Sequence, residues 1–88
     1  MEGTGTPNGG RAGTARLRVY AWLRKQRPDL AMRDVEVGAS GTVQGLLDAV
    51  QLQPPEGAII FVNDHRAEPS SAVRGGDAVS VFPMLEGG

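Results

Sequence analysis

A strict alternation of polar and apolar side chains begins at Arg16 and predicts the first strand of the protein. One face of this strand carries Leu17, Val19, Ala21 and Leu23, and the other carries Arg16, Arg18, Tyr20 and Trp22. A breaker and turn pair, Pro28-Asp29, follows, and the alternation returns over residues 34–37, DVEV. The pattern therefore predicts two half-buried strands in a first hairpin, with a connection longer than a tight turn.

A single apolar stripe at helical spacing follows the second strand. It consists of Val43, Leu46, Leu47 and Val50, at positions i, i+3, i+4 and i+7 of one helix face. The hydroxyl of Thr42 can cap the N-terminus, and Pro54 cannot continue the helix. We therefore predict one amphipathic helix over about 43–51, although Gly45 within it costs about 1 kcal/mol relative to alanine.

Three further strand patterns occupy the C-terminal half. The continuous apolar run 58–62, AIIFV, is typical of a strand that is buried on both faces or lies in the middle of a sheet. Residues 66–68 follow the turn pair Asn63-Asp64 and are short enough for an edge strand. Residues 78–82 alternate again and predict the last strand.

The predicted order of elements is strand, strand, helix, strand, short strand, strand. One helix can cover one face of a mixed sheet, and the long path through it allows a parallel crossover that places the first and last strands side by side in the centre. We therefore predict an α+β, ubiquitin-like β-grasp fold over residues 15–83, with four to five strands and one main helix packed on one face.

Composition and charge narrow the classes of function. The 88 residues have a formal charge of −1 and no run of like charge, which argues against nucleic-acid binding. The absence of cysteine excludes disulfides, thiolate catalysis and Cys-ligated metal sites. Neither an apolar stretch of about 18 residues nor an apolar leader is present. We therefore expect a cytoplasmic protein that does not bind membranes.

The two ends of the chain differ from the predicted domain. Residues 1–14 contain several glycines and a proline among small polar residues, and so bury too little apolar surface to offset chain entropy. We expect a disordered N-terminal tail there. Residues 84–88, MLEGG, are expected to form a flexible C-terminal tail that ends in Gly-Gly.

Four segments, taken in order, carry a specific resemblance. They are 42–47 (TVQGLL), 61–64 (FVND), 76–83 (GDAVSVFP) and the terminal Gly87-Gly88. Together with the β-grasp order of elements, they make residues 16–88 resemble the MoaD/ThiS family of ubiquitin-like sulfur carriers. The resemblance is closest in style to MoaD, the small subunit of molybdopterin synthase.

The resemblance implies a carrier or co-substrate rather than an enzyme, which can be the small subunit of an enzyme complex. The Gly88 carboxylate would be adenylated with ATP by a ubiquitin-activating-like adenylyltransferase of the MoeB or ThiF type and converted to a thiocarboxylate. A sulfur-accepting enzyme, such as the large subunit of molybdopterin synthase, would then receive the sulfur. The carrier itself is expected to hold no cofactor and no metal. Because glycine has no Cβ, Gly87 and Gly88 can pass through a narrow channel in a partner.

The segment before Gly88 is expected to contact these partners. Its residues are Phe82, Pro83, Met84, Leu85, Glu86 and Gly87. Alternation places Phe82 on the face opposite Val79 and Val81, so partner contact and a core position are both open for this ring. Met84 and Glu86 depart from the usual family ending, which has a second proline and small residues, and this leaves the accepting enzyme open.

Three alternatives to the molybdopterin pathway stay open. The first is a ThiS-type carrier for thiamin thiazole synthesis, and the second is a ubiquitin-like modifier conjugated through Gly88 to target lysines. The third is a β-grasp interaction domain whose terminal glycines have no chemical role.

Other residues that resemble functional groups have simpler interpretations. His65 has no second ligand at metal-binding spacing and is interpreted as a solvated loop residue. The basic cluster at 24–27 is interpreted as a solvated strand end. Tyr20 and Trp22 share a face of the predicted first strand with Arg16 and Arg18. This face is either a partner surface or a side covered by neighbouring chain, and we favour the partner surface.

Overall fold

A computed structural model describes residues 13–84. Its strands are β1 Thr14–Val19, β2 Arg33–Glu36, β3 Ile59–Val62, β4 His65–Ala67 and β5 Ala78–Phe82, and its α-helices are α1 Ala21–Gln26 and α2 Val43–Ala49. A short 3-10 helix, Pro28–Leu30, follows α1. No helix within the described range is long and apolar enough to cross a membrane. The tail predicted for residues 1–14 lies outside this range except for Gly13 and Thr14, and Thr14 begins β1.

The five strands form one mixed sheet in the order β2-β1-β5-β3-β4. β1 and β5 run parallel in its interior, with Leu17 opposite Val79 and Val19 opposite Val81. The other three pairs are antiparallel. The sheet confirms the predicted α+β, β-grasp arrangement with the first and last strands side by side.

One face of the sheet, the inner face, is aliphatic and buried. It presents Ala15, Leu17, Val19, Ile60, Val79 and Val81. The predicted stripe of α2 joins the same core cluster with Val43, Leu46, Leu47 and Val50, all of them buried. Because full burial of one such leucine or valine contributes about 1.5–3 kcal/mol, this layer supplies most of the hydrophobic stabilisation.

Polar contacts define the N-terminus of α2. The Thr42 side-chain oxygen accepts a hydrogen bond from the Gly45 amide at 3.2 Å, as expected of an N-cap. The Ser40 hydroxyl lies 3.2 Å from this Thr42 oxygen. A Cβ at position 45 would overlap the Ser40 hydroxyl. The glycine that weakens the helix by propensity therefore makes room for the Ser40 hydroxyl beside the capping group.

Arg27 holds the other end of α2. Its guanidinium donates to the carbonyl oxygens of Val50 at 3.0 Å and Gln51 at 3.1 Å, which are carbonyls that the helix leaves without partners. The same guanidinium binds both carboxylate oxygens of Asp29 at 3.1 Å. This hydrogen bonding lowers the pKa of Asp29 and raises the pKa of Arg27. The interpretation of residues 24–27 as a solvated strand end is therefore wrong, because Arg27 joins two elements.

The first strand is shorter than predicted. β1 ends at Val19, and Ala21, at φ 56°, begins helix α1. Only Leu23 of this helix is buried, so α1 has no apolar stripe that would indicate a helix. Because Ala21 and Leu23 are two positions apart, they continued the alternation of β1 and were predicted to belong to the strand. Ala21 is exposed rather than on the inner face, and Trp22 lies on a helix rather than on a strand face shared with Tyr20.

The predictions for the third and fourth strands need smaller corrections. Of β3, only Ile60 is buried, and Ile59 is 37% exposed, so the strand is not buried on both faces. The middle of the sheet is β5 rather than β3. β4 is an edge strand as predicted, but it begins at His65, which is exposed within the strand rather than in a loop.

Candidate functional site at the tail exit

The chain leaves the fold from the central strand. β5 lies between β1 and β3 and ends at Phe82. Pro83 is buried and Met84 is 58% exposed, so the chain passes from the interior to the surface within two residues. We call Phe82, Pro83 and Met84 the tail exit. Outside the described residues lie Leu85, Glu86, Gly87 and Gly88, and the roles predicted for them stay predictions.

Three aromatic rings meet at the tail exit, on the outer face of the sheet. We call Tyr20, Phe61 and Phe82 the aromatic patch. The rings of Tyr20 and Phe82 stack with centroids 4.2 Å apart and an interplanar angle of 9°. Phe61 meets Phe82 edge to face at 5.8 Å and 84°. All three residues are half-buried, so each ring keeps accessible surface on the side of the sheet away from α2.

Basic residues flank this patch along one row of the outer face. In the register of the sheet, Arg18 lies opposite Ser80, Ser80 opposite Phe61, and Phe61 opposite Arg66. The Arg18 guanidinium also reaches the Met32 sulfur at 3.2 Å. An apolar centre with polar, charged surroundings is the usual anatomy of a protein interface. The arginines favour a partner surface that carries acidic groups.

Two contacts hold Met84, and we call Trp22, Gly57 and Met84 the tail anchor. The Trp22 indole N–H donates to the Met84 carbonyl oxygen at 3.2 Å. The Met84 side chain lies over Gly57, where an added Cβ would stand 2.5 Å from the methionine methyl carbon. Gly57 also has φ +86°, a conformation that other residues rarely adopt. The main chain of Met84 thus accepts a hydrogen bond from α1, and its side chain packs against the turn at Gly57.

The predicted site residues are only partly brought together. Phe82 lies on the face opposite Val79 and Val81, as its alternation predicted, and its ring is in the aromatic patch rather than in the buried core. Met84 is exposed beside it. Pro83 is buried, so it presents little surface, and its partner contact stays a prediction.

Three contributors to the site were not assigned to it from the sequence. Phe61 falls within the apolar run predicted to be a buried strand, yet alternation around the buried Ile60 would have placed its ring on the face of Phe82. Trp22 was noted as a partner surface but not as a contact of the tail. Gly57 gave no sequence signal, since its role depends on where Met84 lies.

Comparison with known proteins assigns the chain to a family. The family model described as the ThiS family matches residues 17–88, which is most of the chain. The chain belongs to the ThiS family. This confirms the resemblance to MoaD/ThiS ubiquitin-like proteins, and it makes the protein a member of a family of ubiquitin-like sulfur carriers or modifiers. No curated protein sequence matches this ThiS-family chain.

Solved structures share the fold of this ThiS-family protein. The crystal structure of SAMP1, a small archaeal modifier protein from Haloferax volcanii, has a TM-score of 0.71 at 21% identity, covering 86% of this chain and 100% of that chain. The solution structure of the Haloferax volcanii HVO 2177 protein has a TM-score of 0.67 at 22% identity, covering 88% of each chain. A putative molybdopterin converting factor, subunit 1, from Pyrococcus furiosus has a TM-score of 0.65 at 20% identity, covering 83% of this chain and 99% of that chain. At these identities the likeness concerns the fold.

Proposed function

We propose that this ThiS-family protein is a sulfur carrier whose Gly88 carboxylate is adenylated and converted to a thiocarboxylate, which donates sulfur in molybdopterin biosynthesis. The observation that supports the proposal is where the aromatic residues lie. The chain has one tryptophan, one tyrosine and two phenylalanines. The tyrosine and both phenylalanines lie at the tail exit, and the tryptophan packs against the core and contacts Met84, whereas the buried core residues are all aliphatic. Aromatic side chains usually contribute strongly to both cores and interfaces, so their concentration here favours partner binding.

The position of the tail explains how an enzyme bound at the aromatic patch would reach the reacting carboxylate. β5 delivers the chain to the edge of the aromatic patch, so an enzyme docked on that patch has the last residues within reach. The family match also extends through Gly88. Leu85 and Glu86 would follow the anchored Met84 into the partner, and Gly87 would provide clearance in a narrow channel.

The proposed reaction has two steps. The carrier supplies the attacking carboxylate in the first step and the acyl carbon that is attacked in the second. A Gly88 carboxylate oxygen attacks the α-phosphorus of ATP, which forms the acyl-adenylate and releases pyrophosphate. A sulfur nucleophile then attacks the acyl carbon, and AMP leaves to give the thiocarboxylate. The activating groups would belong to an adenylyltransferase of the MoeB or ThiF type, so in this proposal the carrier holds no cofactor and the partner uses the ATP.

Intact-mass measurement tests this proposal. We would incubate the protein with ATP, a sulfide source and an activating adenylyltransferase of this type, and we expect the mass gain of one oxygen-to-sulfur exchange. A chain that lacks Gly88 and a chain with one alanine appended after Gly88 are matched controls, and neither should be converted. Failure of the native chain under conditions that convert an established substrate of the same enzyme would count against the carrier role.

The accepting pathway is tested separately. In this proposal, the thiocarboxylated protein transfers sulfur to the large subunit of a molybdopterin synthase. The ThiS-type alternative predicts transfer to a thiazole synthase instead. Reconstitution with each accepting enzyme in parallel distinguishes the two by which one consumes the thiocarboxylate.

A protein modifier is the second candidate. It is favoured by the structural likeness to the small archaeal modifier protein. This function predicts conjugates that survive reducing gels and contain an isopeptide bond between Gly88 and a lysine. Peptide mass spectrometry of such conjugates is the direct test, and their absence alongside thiocarboxylate formation would leave the carrier role alone.

A further inference from the structure

The indole of Trp22 bonds to the main chain just beyond the last strand. The Nε1–H to Met84 oxygen distance is 3.2 Å, and the two residues are 62 positions apart in the sequence. Trp22 lies on α1, which belongs to the connection between β1 and β2 rather than to the sheet. Trp22 also packs against the core cluster beside the buried Leu23, so its indole connects α1 to the chain where it leaves β5.

Gly57 provides a second and independent contact. The Met84 side chain fills the space that a Cβ at position 57 would take, with its sulfur and its Cβ also within 3.5 Å of that point. Glycine at φ +86° therefore both forms the bend and allows the close approach. Trp22 and Gly57 lie on opposite sides of α2 in the sequence, so helix α1 and the turn before β3 converge on one residue of the tail.

Holding Met84 limits how far the Gly88 carboxylate can lie from the last residue that the fold contacts. Four residues beyond Met84 span at most about 14 Å, whereas the six residues beyond Phe82 span at most about 21 Å. With the anchor in place, the carboxylate of Gly88 must lie within the shorter of these two distances of a fixed residue. Fewer conformations are then lost when a partner takes up the tail, which is how preorganisation improves binding.

We propose that Trp22 is a positioning residue that, together with Gly57, holds Met84 and sets the direction and reach with which the tail is presented to an activating enzyme. This rests on the proposed function, since it concerns how that enzyme receives Gly88. The activating step itself keeps its chemistry, because Trp22 acts through Met84 and not on the reacting carboxylate. Loss of the anchor should therefore weaken productive binding more than it slows the bound complex.

A partner-free experiment tests the anchor itself. NMR relaxation of the full chain should show the Met84 amide as rigid as β5, and the single indole N–H signal should be protected from exchange. Trp22→Phe keeps a ring but removes the donor, so the Met84 amide should become more mobile. Gly57→Ala should shift the indole signal because the Met84 side chain must move. Unchanged Met84 relaxation in Trp22→Phe together with an unshifted indole signal in Gly57→Ala would overturn the anchor.

A kinetic experiment tests the positioning role. In ATP-dependent activation by a MoeB- or ThiF-type enzyme, we expect Trp22→Phe to raise the KM for the carrier about 2- to 10-fold, as for loss of one hydrogen bond, with kcat nearly unchanged. Gly57→Ala should act in the same direction. Arg24→Gln, an exposed change on the same helix, is the matched control and should leave KM unchanged. Thermal unfolding establishes that each variant is folded.

The two proposals fail in distinguishable ways. If the native chain is activated but the KM values of Trp22→Phe and Gly57→Ala equal the native value, the positioning role is wrong and the carrier function stands. If the native chain is never activated, the carrier function fails, and the positioning role falls with it. A fall in kcat at constant KM would also contradict the positioning role, since it would indicate an effect on the chemical step.

Discussion

The two faces of the same sheet are built from different chemistry. Along β5, Val79 and Val81 point into an aliphatic core under α2, whereas Ser80 and Phe82 lie on the outer face. The buried residues of the core are all aliphatic, Trp22 is partly buried against them, and the other three aromatic side chains form the aromatic patch. Since aliphatic side chains pack this small core without them, the rings are available for recognition. The inner face thus serves stability, and in the proposed function the outer face is the surface that a partner contacts.

The sharpest test of this division is a cavity in the inner face. Leu47→Ala removes a fully buried side chain of α2, so the free energy of unfolding should fall by about 2–5 kcal/mol. Urea unfolding with linear extrapolation measures the loss. Activation of the remaining folded protein should be normal. A loss of less than about 1 kcal/mol would mean that the core rearranges to fill the cavity at position 47. The inner face would then contribute less to stability than we infer.

On the outer face, we expect a substitution to affect activation more than stability. Phe82→Ala removes the stack with Tyr20 and the edge contact with Phe61, each worth about 0.5–1.5 kcal/mol, so stability should fall by about 1–3 kcal/mol. The kcat/KM of adenylation should fall at least tenfold, or about 1.4 kcal/mol, even where the variant is fully folded. Ser70→Ala, an exposed change outside the aromatic patch and its basic row, is the control. Normal activation of Phe82→Ala would remove the aromatic patch from the partner interface.

The same division explains what could be predicted from the sequence. Burial of the inner face imposes period 2 on β1 and β5 and helical spacing on α2, so their positions could be derived from spacing alone. The segment from Tyr20 to Leu30 could not, because α1 and the 3-10 helix each bury one leucine, Leu23 and Leu30. One buried residue per element leaves no period to detect.

The candidate site was predictable only where it follows the strands. Alternation located Phe82 on the outer face and would also have located Phe61. The contact between Trp22 and Met84 was not predictable, because a main-chain carbonyl acceptor has no residue signature and the two positions meet only through the tertiary fold. Gly57 is a similar case, since its space is defined by a side chain 27 positions later.

A smaller effect is expected at the N-terminus of the helix that covers the inner face. Thr42→Ala removes the side-chain acceptor of the Gly45 amide, which should lower the free energy of unfolding by about 0.5–2 kcal/mol. Thr42→Ser retains the oxygen and is the matched control. Equal losses in both variants would show that the hydroxyl is not the stabilising group. Adenylation should be unaffected, since the cap belongs to the inner side of the molecule.

The smallest effect concerns the other end of α2 and depends on pH. Hydrogen bonds from Arg27 lower the pKa of Asp29 in the folded protein, so ionised Asp29 stabilises the fold above its unfolded pKa of about 3.9. That contribution is lost as pH falls through the lower, folded pKa. We would measure the free energy of unfolding in urea from neutral pH to below the folded pKa of Asp29. As pH falls, this free energy should decrease more steeply for the native chain than for Asp29→Asn. Arg27→Gln, which removes the donor of these hydrogen bonds, should show the same reduced acid loss as Asp29→Asn. Equal acid slopes for the native chain and Asp29→Asn would mean that Arg27 holds α2 through the Val50 and Gln51 carbonyls alone.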